Sequence, residues 1–159
     1  MDRAQARTCS ALCRSGQSVS SPRSAGVPRL DHVGILVRDL DSALAHWSNR
    51  FGVEVARAVE VPVMSISAAF LNMSGAEVEL YTMHDLDALE VALDGAPAKL
   101  DHVALWLHHA DGPELAGCAI RGPGRAEPID APIQMGDATH VWAEPPGIDV
   151  LLQLIRPSG

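Results

Sequence analysis

Residues 29–37, Arg29-Leu30-Asp31-His32-Val33-Gly34-Ile35-Leu36-Val37, recur 70 positions later as Lys99-Leu100-Asp101-His102-Val103-Ala104-Leu105-Trp106-Leu107. Four of the nine positions are identical and most others are conservative exchanges. A match of that quality within 159 residues marks a duplicated supersecondary unit. The stretch itself reads as a strand. His32, Gly34 and Leu36 fall on one face, and Val33, Ile35 and Val37 on the other.

Working outward, each copy can be read through to its end. Asp39 or Asp41 caps a helix whose residues Leu40, Leu44, Trp47 and Phe51 form one apolar stripe, and Gly52 stops it. Residues 53–61, 64–73 and 76–83 read as strands, with Ser74-Gly75 as a hairpin turn between the last two. The unit is therefore βαβββ. The second copy gives a strand over 100–107, a short helix around 113–120, and strands near 126–130, 138–143 and 148–155. The expected fold is α+β with two tandem βαβββ modules: module one over 29–84, a linker over 85–98 and module two over 99–156.

Strand alternation then places polar side chains. Glu79 shares a face with Glu77 and Tyr81, and Gln153 shares one with Leu151 and Ile155. If the Val33 face packs under the helix, His32 looks to the other side of the sheet, and His102 does the same in the second copy. The repeat offers four equivalent stations, namely His32, Glu79, His102 and Gln153. Either histidine alone reads as an ordinary half-buried residue; the shared repeat position is what singles both out. Trp106, His140 and Trp142 lie on strands near these stations and are candidates for lining a cavity. His46, His84 and the pair His108-His109 read as surface or loop, Trp47 and Phe51 as core, and Gly122-Pro123-Gly124 as a turn.

Composition bounds the partners. Residues 30–159 carry a balance of −12 within a total of −8, which disfavours nucleic acid. No run of 18 apolar residues occurs, so no membrane-spanning helix is expected. Three cysteines give neither a disulfide framework nor a zinc knuckle. Residues 1–28 are Arg-, Ser-, Ala- and Gly-rich without apolar periodicity and read as a disordered leader ahead of one domain over 29–159. Arg- and Ser-rich, acid-poor composition resembles an organelle transit peptide. A single Lys beside eleven Arg instead fits a GC-rich bacterial gene, a start near Val27 and a cytoplasmic protein.

The chain resembles the vicinal oxygen chelate superfamily, the glyoxalase-type fold, over residues 29–156. Within it the pattern is most similar to methylmalonyl-CoA epimerases. The matching stretches are His32-Val33-Gly34-Ile35, Asp39-Leu40-Asp41 with the helix to Phe51-Gly52, Val78-Glu79-Leu80-Tyr81, His102, and Val150-Leu151-Leu152-Gln153-Leu154. The resemblance implies a half-open barrel around one divalent metal (Co, Ni, Zn, Mn or Fe(II)) held by His32, Glu79, His102 and Gln153. It also implies a homodimer and a carbonyl substrate, with a CoA thioester as the family's choice. The implied activity is that of an isomerase or epimerase moving an α-proton through an enolate. Such proteins normally carry Glu at the last station, where this chain has Gln153, and some epimerases carry a further carboxylate on the third strand, near Ala68 here. An amide coordinates through oxygen but takes no proton, so Glu79 becomes the base candidate if it leaves the metal, with His140 and Glu144 as further candidates. Three other readings stand beside this one: a glyoxalase-type lyase or cyclising enzyme of small-molecule biosynthesis, an Fe(II) dioxygenase on His32, His102 and Glu79, and a metal-free antibiotic-binding protein.

Overall fold

This computed structural model describes residues 28–107, 118–125 and 132–158. The first unit follows from its signals. Strand β1 (Arg29–Val37) leads to helix α1 (Leu40–Phe51), capped by Asp39, whose carboxylate accepts from Ser42 N at 2.7 Å. Gly52 ends the helix in the left-handed region at φ 64°, where a side chain would be strained. Strands β2 (Val55–Val61), β3 (Ile66–Met73) and β4 (Ala76–Met83) complete βαβββ. Phe51 departs from the sequence reading. It is 65% exposed, because the last turn of α1 runs past the edge of the apolar patch that takes Leu40, Ala43, Leu44 and Trp47.

The stretch read as a linker over 85–98 holds a second helix, α2 (Leu86–Leu93), capped by Asp85. Its Leu89 and Leu93 are buried against Leu36, Phe70 and Tyr81. Strand β5 (Ala98–Trp106) opens the second unit, followed by β6 (Ala119–Arg121), β7 (Ile133–Met135), β8 (Ala138–Glu144) and β9 (Leu151–Pro157). Two readings need correction here. The helix around 113–120 lies outside the described residues up to 117, and Ala119–Arg121 is strand. The strand near 148 begins only at Leu151, since Pro145-Pro146-Gly147 forms a turn with Gly147 at φ 77°. The strand expected over 126–130, the His108-His109 pair and residues 1–27 of the leader fall outside the described residues. Gly122-Pro123-Gly124 does form a turn, running into a 3-10 turn at Pro123–Arg125.

The nine strands among the described residues form one open sheet in the order β2-β3-β4-β1-β5-β9-β8-β6, with β7 also on β8. Parallel pairs β1–β4 and β5–β9 lie inside the two units, and the antiparallel pair β1–β5 joins them. One face carries Val37, Leu71 and Leu80 under α1; the other carries Leu36, Ala68, Phe70 and Tyr81 under α2. The sheet does not close, and its second face bounds a cavity of about 460 Å³.

Candidate metal centre

Register brings the site together. In the central strand pair, Val33 faces Val103, His32 faces Ala104 and Gly34 faces His102. Gly34 stands beside Glu79 on its other side, as Ala104 stands beside Gln153. One row across the sheet therefore reads Glu79, Gly34, His102, and the next reads His32, Ala104, Gln153. Two small residues occupy the places between the long side chains. The His102 ring lies where a Cβ on Gly34 would stand, so only glycine leaves the imidazole its place.

The result is a triangle. His32 Nε2 is 3.2 Å from His102 Nε2 and 3.3 Å from Glu79 Oε2, and His102 Nε2 is 3.1 Å from the same oxygen. All three residues are buried. Atoms ligating one ion with bonds of about 2.1 Å stand roughly 3 Å apart, so these separations fit a shared divalent cation. The His32–Glu79–His102 cluster can hold one.

Behind each imidazole stands the preceding aspartate. His32 Nδ1 donates to Asp31 Oδ2 and His102 Nδ1 to Asp101 Oδ2, each at 2.9 Å. Simple alternation would send Asp and His to opposite faces. Register explains the exception. Leu30 pairs with Leu105 and His32 with Ala104, so Asp31 is an extra residue on β1; Gly34 pairs with His102 and Ile35 with Leu100, so Asp101 is an extra residue on β5. Each bulge re-aims its aspartate toward the ring that follows it. Such contacts direct Nε2 of both rings toward the ligand position. Gly124 N also donates to Asp101 Oδ2, at 3.4 Å.

The remaining sequence candidates share the cavity. Gln153, Trp106, His140 and Trp142 all line it together with the triangle. Gln153 donates from Nε2 to His140 Nδ1 at 2.9 Å, while its Oε1 is buried without a partner. An orphaned buried amide oxygen is uncommon and suits a cation. The His140 ring stacks on Trp142 at 6.0 Å. Ala68 lies on β3 opposite Tyr81, so no carboxylate occupies that position. His46 and His84 are exposed on other parts of the surface, and His84 is bound to Ser67.

Charge is tightly coupled here. Burial works to raise the Glu79 carboxyl, but hydrogen bonds from His102 and His32 outweigh it and hold the group at about 2. Burial would lower His102, yet Asp101 and Glu79 raise it to about 9; the same balance with Asp31 and Glu79 raises His32. The bond from His32 lowers the Asp31 carboxyl. Burial, followed by the charge of His32, brings His140 down to about 4. Burial, reinforced by Asp101, pushes the Tyr81 phenol well up.

Sequence reasoning passed over Asp31, Asp101 and Gly34, although all three lie in the repeat. Their roles depend on two bulges and a ring position, neither of which alternation conveys. It also passed over Arg57, the only lysine or arginine on the cavity wall among the described residues. Arg57 lies 3.4 Å over the Phe70 ring and pairs with Glu77.

An open sheet of paired units, curved around two imidazoles and a carboxylate, defines a glyoxalase-like α+β protein. The chain belongs to the glyoxalase/bleomycin resistance protein/dioxygenase superfamily, whose pattern matches residues 31–114. It is 36% identical over 78 residues to the mitochondrial methylmalonyl-CoA epimerase of Bos taurus, covering 46% of this chain and 45% of that one. The chain thus matches about half the length of this curated relative. In fold it is similar to methylmalonyl-CoA epimerase from Mycobacterium tuberculosis, with TM-score 0.64, 21% identity and coverage of 82% and 89%. A Streptomyces coelicolor methylmalonyl-CoA epimerase variant in complex with 2-nitronate-propionyl-CoA gives TM-score 0.62, 18% identity and coverage of 84% and 100%. Among the described residues no helix is long and apolar enough to cross a membrane.

Proposed function

We propose that this protein is a divalent-metal-dependent epimerase that inverts a carbon next to a thioester carbonyl, with an acyl-CoA of the methylmalonyl class as substrate. The observation that carries this reading is the convergence of His32, Glu79 and His102 in a cavity that also presents the unpartnered Gln153 oxygen. The names of the relatives above support the substrate class. A cavity of about 460 Å³ suits the acyl end of such a thioester, with the bulk of the coenzyme left outside.

His32, Glu79, His102 and Gln153 are the proposed ligands, and this donor set suits Co, Ni, Zn, Mn or Fe(II). Bound there, the ion would polarise the substrate carbonyl and stabilise negative charge on its oxygen. The chain's own part is proton handling. Both imidazole contacts of Glu79 fall on Oε2, which leaves Oε1 as the acceptor for the α-proton. The C–H electron pair passes into the enolate; a proton delivered from solvent to the opposite face completes inversion, and Glu79 then releases to solvent the proton it took, so no oxidant or reductant is needed. Asp31 and Asp101 fix the imidazoles, and Gly34 makes room for one of them. Incubating metal-loaded protein with methylmalonyl-CoA in heavy water tests the reading. Deuterium should enter the α-position, and no exchange under any of the five metals would refute it.

The His32–His102–Glu79 set also favours a second reading, an Fe(II) oxygenase, because it satisfies the two-histidine, one-carboxylate pattern. Oxygen uptake with Fe(II) and substrate separates the two. The proposal includes a homodimer, which light scattering of the purified protein tests. It also includes organelle import through residues 1–28, in line with the mitochondrial bovine relative. Cytoplasmic residence is the alternative, and a leader–reporter fusion distinguishes them.

A further inference from the structure

The two halves of the sheet present equivalent positions about an approximate two-fold axis between Val33 and Val103. Gly34, Glu79 and Phe70 on one side correspond to Ala104, Gln153 and Trp142 on the other. One step along, the pair Ala68–Tyr81 corresponds to His140–Ile155. The halves therefore match in geometry and differ in chemistry. Beside the carboxylate of Glu79 stands a methyl group; beside the amide of Gln153 stands an imidazole.

His140 is unlike the other two imidazoles of the cavity. His32 and His102 each have an aspartate behind and Glu79 in front. Among the described residues, the His140 ring meets the Gln153 amide and the face of Trp142. An amide NH2 has only hydrogens to give, so the nitrogen it approaches, Nδ1, is an acceptor. A neutral imidazole that accepts at Nδ1 carries its proton on Nε2. That nitrogen has no protein partner among the described residues, and the ring lines the cavity.

We propose that His140 donates a hydrogen bond from Nε2 to the substrate's carbonyl oxygen, and that the Gln153 amide locks the tautomer that makes this possible. The inference rests on the enolate reading above and assigns that site a donor. His140 keeps its proton throughout; it stabilises charge as that charge develops on the oxygen. A donor aimed at the enolate oxygen lowers the cost of removing the α-proton. The departure at position 153 also gains a reason. A glutamate there would accept a hydrogen bond from Nδ1–H and so favour the tautomer whose Nε2 is bare, whereas glutamine points its NH2 at His140 and turns Oε1 away.

The test joins spectroscopy to kinetics. Nitrogen-15 NMR of labelled histidine, with His140 assigned by its loss in His140→Gln, should show a protonated Nε2 and a bare Nδ1 in both metal-free and Zn-loaded protein. In Gln153→Glu the pattern should invert or become imidazolium. His140→Ala should take up metal as wild type does. Its α-proton exchange with methylmalonyl-CoA should slow by roughly 10²–10³-fold, the effect of removing one such donor, with the loss in kcat rather than KM. His140→Gln, which restores an N–H donor, should recover at least tenfold of the loss, on the order of one hydrogen bond's worth. A wild-type Nδ1–H tautomer, or exchange in His140→Ala within about threefold of wild type, well inside that expected loss, overturns the proposal. Wild-type protein that exchanges no α-proton refutes the epimerase reading and the substrate contact with it, while the NMR pattern still decides the tautomer lock.

Discussion

The imidazole of His102 occupies the space that Gly34 leaves by having no Cβ, directly across β1–β5 and one strand from Glu79. The site is thus made by an absence as much as by its polar groups. Gly34→Ala should displace the ring from the triangle. Overpacking of this kind costs about 1–3 kcal/mol of stability. Metal affinity should fall at least about tenfold, as for lost ligand orientation; calorimetric metal titration alongside thermal melting measures both. Ala104 at the equivalent place already carries a Cβ, so Ala104→Gly should leave affinity nearly unchanged.

Asp31 and Asp101 hold the two rings from behind, each at 2.9 Å. Asp101→Asn should weaken metal binding by about 10–100-fold. Asp31→Asn should do less, since Asp31 is more exposed and Asp101 is nearly enclosed. Competition with a calibrated chelator gives the affinities, and equal effects would contradict the ranking.

In metal-free protein the cluster makes stability depend on pH from both sides. His102 is raised from 6.5 to about 9, so its contribution is full below 6.5 and is lost as pH climbs through 9. Glu79 is lowered from 4.5 to about 2, so its contribution is full above 4.5 and is lost as pH falls through 2. Stability from this cluster should therefore peak between 4.5 and 6.5. Chemical denaturation across pH for wild type and Glu79→Gln checks this; the variant should lack most of the peak. Metal binding displaces the His102 proton, so affinity should rise with pH toward 9.

Phe51 and Leu89 invert what the sequence suggested about the core. Phe51 ends an apolar stripe yet is 65% exposed, whereas Leu89, in the stretch read as a linker, is 2% exposed. Phe51→Ala should change stability by less than about 0.5–1 kcal/mol, as at other surface sites. Leu89→Ala should cost about 2–5 kcal/mol. Urea unfolding of both variants decides it.

The nine-residue repeat carried most of the architecture, because duplicated strands at the joint of a symmetric sheet force their neighbours into equivalent places. His32 and His102 were legible as a pair for that reason, and Glu79 and Gln153 followed by alternation. Asp31 and Asp101 were not legible, since a bulge shifts facing by one residue and leaves no mark in an apolar pattern. The sequence reads as a linker over 85–98, although Leu86, Leu89 and Leu93 of α2 recur at helical spacing behind the Asp85 cap. Eight residues between two strands resemble a connection until a tertiary partner, here Leu36 and Tyr81, gives the apolar face something to cover. In the second unit, Pro145-Pro146-Gly147 delayed the last strand in a way apolar alternation did not signal.

The most direct test is metal content of the purified protein, wild type beside His102→Ala, by elemental analysis before and after exposure to Co, Ni, Zn, Mn and Fe(II). A metal centre at His32, Glu79 and His102 predicts near-stoichiometric divalent metal in the wild type and its loss in the variant, with both proteins folded by circular dichroism. Folded wild-type protein that carries none and takes up none of the five would contradict it.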